Sequence, residues 1–151
     1  MGVSLGYATV QPVTNDVRKL VTQAADELSR GRAWWTESIH FFDDSERPGC
    51  LVGNSKLFRA GFDCDDDTFL AWRDIQFIIA NLAKWASSFE LTWCLSHDVH
   101  EIGTVDAKGA DERVNEFFSK LAALGHHPTS DPRTIETIAE ALLEKYSERD
   151  G

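Results

Sequence analysis

Basic residues are scarce in this chain of 151 residues. Lys and Arg total 15 against 25 Asp and Glu, giving a formal net charge of −10. That balance argues against nucleic acid or anionic lipid as a partner, because phosphates are repelled at long range. It permits a basic protein partner, but net charge constrains solubility more than function, and keeping a small protein in solution is the simpler account. Cysteine is equally scarce, and odd in number: Cys50, Cys64 and Cys94, with no C-x-x-C pair. A disulfide scaffold and a zinc cluster are both disfavoured. Free thiols in a reducing compartment are the simplest account. Long apolar runs are missing as well. The longest, around Phe77-Ile78-Ile79-Ala80, falls far short of the ~20 residues that span a bilayer. The first residues show no basic segment followed by an apolar run, so no secretory signal is expected. Met1-Gly2 opens like an acylation signal, but Gly6 stands where Ser or Thr is needed. Together these absences lead to the expectation of a cytoplasmic protein with no membrane association. A Gly-rich phosphate loop, H-E-x-x-H, G-x-S-x-G and a dinucleotide fingerprint are all absent, so neither a known catalytic motif nor a cofactor is expected.

What is present suits one globular domain over residues 1–151. The hydrophobic share is 42% and the charged share 26%, with 5 Trp and 9 Phe; a disordered chain lacks such a supply of core residues. Val3, Leu5 and Tyr7 alternate with small residues as a first strand. From Thr14 a helical period places Val17, Leu20, Val21, Ala24 and Leu28 on one face, with Thr14 as N-cap and Gly31 as terminator. Residues 34–42, rich in aromatic and β-branched types, are expected as a strand. In it Trp35, Glu37, Ile39 and Phe41 face one way, and Trp34, Thr36, Ser38, His40 and Phe42 the other. Residues 43–49 follow as a hairpin loop and 51–58 as a third strand.

The strongest helix carries Phe69, Trp72, Ile75, Ile79, Leu82, Ala86 and Phe89, widened by Phe77, Ile78 and Trp85. Its polar strip is narrow, near Arg73, Asn81, Lys84 and Ser88, so the helix should be buried on most sides. Leu91, Trp93 and Leu95 alternate as a fourth strand, and 102–105 reads as a fifth. Two C-terminal helices follow, one striped by Val114, Phe117, Phe118, Leu121 and Leu124, the other starting at Asp131-Pro132. The expected class is α+β. An antiparallel sheet carries helices on one face, as a ferredoxin-like βαββαβ core plus an extra hairpin strand and two C-terminal helices. Such a fold assigns no function by itself.

The densest chemistry lies at His97-Asp98-Val99-His100-Glu101. Across a tight turn, His97 and His100 would stand ~5 Å apart at Cβ, and imidazole with carboxylate suits zinc, iron or manganese. Yet Asp-Val is a poor two-residue turn, because Val resists positive φ, and no third ligand follows at a known spacing. A polar loop explains the run without any metal. Cys94 pairs poorly with either histidine as a nucleophile, because its strand parity opposes that of His97.

Asp63, Asp65, Asp66 and Asp67 crowd the start of the long helix. They lack the spacing of a calcium loop, and capping the helix accounts for them. Arg32, Trp34 and Trp35 form a candidate binding patch, since two adjacent Trp on a strand cannot both face one core. Glu37 shares parity with core residues, with Arg73 or His40 as its expected partner. His126-His127 follow a helix-ending Gly125, where cationic side chains complement the helix terminus.

Two functional classes emerge. The first is a small acidic binding or regulatory protein without catalytic activity, contacting a protein partner, basic in character. The alternative is a metal-dependent or acid–base enzyme using His97, Asp98, His100 and Glu101.

Overall fold

The computed structural model describes residues 4–31, 33–56, 65–97 and 100–124, and for 65–69, 118 and 120–124 the backbone only. Arg32, Asp63, Cys64, Asp98, His126, His127 and the expected last helix lie outside the described residues. The elements run β1 (Ser4–Thr9), α1 (Asn15–Arg30), β2 (Phe41–Phe42), β3 (Val52–Lys56), α2 (Asp65–Phe89), β4 (Trp93–His97), β5 (His100–Asp106), β6 (Gly109–Ala110) and α3 (Glu112–Leu124). All six strands join one antiparallel sheet in the order β2-β3-β1-β4-β5-β6. The fold is α+β.

Alternation in the central strands decides which face holds the core. Leu5, Tyr7, Trp93, Leu95 and Val105 are buried together with Val21 and Ala25 of α1, Ile75, Ile78, Leu82, Trp85 and Ala86 of α2, and Val114 of α3. α1, α2 and α3 therefore meet the same side of the sheet. Gly103 lies against the start of α3. A Cβ there would meet the Asp111 carboxylate and the Val114 side chain, so only glycine lets the helix start press against β5.

The helix ends follow local chemistry. The Thr14 hydroxyl accepts from Val17 N–H at 3.2 Å and caps α1, while Gly31 N–H returns to Leu28 O. Leu20, expected on the core face, is instead 53% exposed. Val21 and Ala25, four residues apart, hold the centre of the stripe, and Leu20 sits about 100° around from Val21. At the end of α2, Glu90 adopts φ 55° and Leu91 N–H reaches back to Ala86 O at 3.0 Å, a left-handed cap. The acidic residues Asp65, Asp66 and Asp67 do fall in the first turn of α2. Their side-chain contacts lie outside the described atoms.

The expected strand over 34–42 is reduced to Phe41–Phe42. Its first residues are drawn off by a buried ion pair. Arg73, read as part of the polar strip of α2, is only 7% exposed, and the neighbouring Asp74 is 0% exposed. The Asp74 carboxylate accepts the backbone N–H groups of Trp35 at 2.7 Å and Thr36 at 2.9 Å. Arg73 donates to Ala33 O at 3.1 Å and to the Asp74 carboxylate at 3.3 Å. Residues 33–36 are thereby tied to α2 rather than to β3. Glu37 is exposed and does not enter the core; its carboxylate accepts Lys56 N–H at 2.7 Å, and its own N–H donates to Lys56 O.

Candidate functional site

The β4–β5 hairpin brings the histidines together. His97 and His100 are register partners, as are Ser96 and Glu101, with a register shift at Leu95/Ser96. The His97 ring is half-buried and lies 5.2 Å from the Phe117 ring, so α3 packs on its outer side. His100 and Glu101 are exposed. Arg113 approaches the Glu101 carboxylate at 3.7 Å and the Asp111 carboxylate at 3.5 Å. His97, His100, Glu101, Arg113, Glu116 and Phe117 line a concavity of about 420 Å³.

This arrangement offers imidazole, carboxylate and guanidinium within one surface dip. Glu101 already faces Arg113, and a substrate held by exposed His100 and Glu101 would remain in water, where charge–charge interactions are weak. Among the described residues, no group of three or more His, Cys, Asp and Glu is placed to hold a metal ion. Cys94 is half-buried, and burial pushes its thiol pKa up, with the Glu101 carboxylate adding to the rise. A thiol held protonated is a poor nucleophile.

Of the candidate patch, Trp34 and Trp35 are half-buried and Arg32 is outside the described residues. The Trp34 indole N–H donates to Leu28 O at 3.3 Å, and its ring meets Phe77 edge-on at 5.5 Å. Trp35 is fixed through its backbone by Asp74. The structure thus brings Trp34 and Trp35 onto a rigid segment but binds much of their surface to the protein itself.

Among the described residues the exposed large aromatic side chain is Phe42, 47% accessible. Its neighbour Phe41 points the other way and stacks on Trp93 at 5.9 Å. Phe42 pairs with Val52, and Val52 with Ala8, a row on the sheet face turned away from the helices. Asp43 and Glu46 follow it, both exposed. Asp44 shapes the turn: its carboxylate accepts Glu46 N–H at 2.9 Å and its carbonyl accepts Arg47 N–H at 3.1 Å.

Behind Phe42 the strand is held from within. Gly53 leaves room for the Tyr7 ring, since a Cβ there would collide with it and with His40 O. The Tyr7 hydroxyl accepts His40 N–H at 3.1 Å and meets Ser55 Oγ at 2.8 Å. Ser55 donates to Ser38 O at 2.8 Å. Burial pushes the Tyr7 pKa up to about 12, so the hydroxyl stays protonated.

Sequence reasoning passed over Phe42, Asp74 and Tyr7 as site-building residues. The one signal for Asp74 was an adjacent Arg73-Asp74 pair inside an otherwise apolar helix. Comparison with protein-family models, with curated proteins and with solved structures finds no match.

Proposed function

We propose that this chain is a small acidic binding or regulatory protein without catalytic activity, and that it contacts a basic protein partner. The observation that carries the reading is Phe42: an aromatic side chain 47% exposed, on a short edge strand, followed directly by exposed Asp43 and Glu46. Buried aromatic anchors dominate interface energies, and surrounding charge sets partner choice and encounter rate. The formal charge of −10 favours a partner of opposite sign. In the same reading the chain is cytoplasmic, which the free thiols Cys50 and Cys94 support. Among the described residues no helix is long and apolar enough to cross a membrane.

The strand order β2-β3-β1-β4, with α1 and α2 as crossovers, supports a ferredoxin-like βαββαβ core as the finer fold description. β5, β6 and α3 are then additions, and the second C-terminal helix remains part of this proposal.

Site-specific photo-crosslinking tests the function. A benzophenone side chain at position 42 should capture one basic polypeptide, saturably. The same group at the exposed position 20 should not. Equal capture at both positions, or capture of acidic proteins only, would defeat the reading.

A second reading has one observation in its favour, the direct pairing of His97 with His100 beside Glu101. In it the hairpin serves acid–base or metal-dependent chemistry on an unassigned substrate. Metal analysis of the purified protein, followed by Co²⁺ titration, separates the two readings.

A further inference from the structure

We draw no further inference here: the strongest candidate, the groove where the start of α1 meets the end of α2, lined by Val10, Val13, Val17, Phe89 and Leu91 with Val10 56% exposed, carries nothing, because nothing in the structure shows what covers it.

Discussion

Asp74 is a fully buried carboxylate that ties a distant segment to α2. A fully buried carboxylate is costly unless its charge and lone pairs are met. Here two backbone N–H groups and Arg73 meet them. Asp74→Ala would leave Arg73 buried without that carboxylate and strip the acceptor from Trp35 and Thr36. The expected loss is ~3–5 kcal/mol, read by urea denaturation. A loss under about 1 kcal/mol would show that residues 33–36 are not pinned in this way.

Tyr7 works on the same segment from the opposite side. Tyr7→Phe deletes the acceptor for His40 N–H and should cost ~1–3 kcal/mol with the ring packing on Phe41 and Trp93 retained.

Asp111 gives an acid-sensitive contact. Its carboxylate accepts Val114 N–H and Thr104 N–H, and these bonds, the first above all, hold its pKa below the usual value of 3.8. The sign follows from linkage: a depressed carboxyl pKa stabilises above the unfolded value. That contribution is lost as pH falls through the lower, folded one. Asp111→Asn should therefore flatten the stability profile below about pH 4. The side chain is 31% exposed, so solvent screening keeps the change small. An unaltered acid limb would contradict the assignment.

At the scale of elements, α2 supplies more of the described core than any other element. Ile75, Ile78 and Leu82 are fully buried, whereas Ile79 is only half-buried. Ile78→Ala should destabilise by ~2–5 kcal/mol, and Ile79→Ala by clearly less, in parallel thermal melts. Equal losses would mean that the helix is rotated from the position described.

The coarse reading of these elements was available from the sequence. The period of α1, its Thr14 cap and the alternation of Leu5 with Tyr7 and Trp93 with Leu95 are local patterns. The strand over 34–42 misled because its aromatic and β-branched composition is also that of a β-strand. What draws Trp35 and Thr36 out of it is a carboxylate 38 to 39 residues away in sequence, and no local pattern encodes such a partner. β6, two residues long, is set by the turn beside it rather than by any hydrophobic period. The pairing of His97 with His100 followed from hairpin geometry. The exposure of Phe42 did not, because a strand pattern gives parity but not which face the helices cover.

For the whole molecule, two regions of opposite character stand out. One is the hairpin concavity, where His97, His100 and Glu101 meet α3. If it bound metal, Zn²⁺ or Mn²⁺ would raise the melting temperature by mass action. Paired His97→Ala and His100→Ala changes would abolish that rise. The binding-protein account expects no metal-dependent shift and a stability change below ~0.5 kcal/mol for the double variant. Differential scanning fluorimetry reads both.

The other region is the acidic edge around Phe42, and the account stands on it. The decisive measurement is the affinity of the partner crosslinked through position 42, determined for the wild-type chain and for Phe42→Ser over a series of salt concentrations. The account predicts a loss of at least tenfold, ~1.4 kcal/mol, with an unchanged melting temperature. It also predicts an association rate that falls as salt rises. Equal affinity for the two proteins, indifferent to salt, would contradict it.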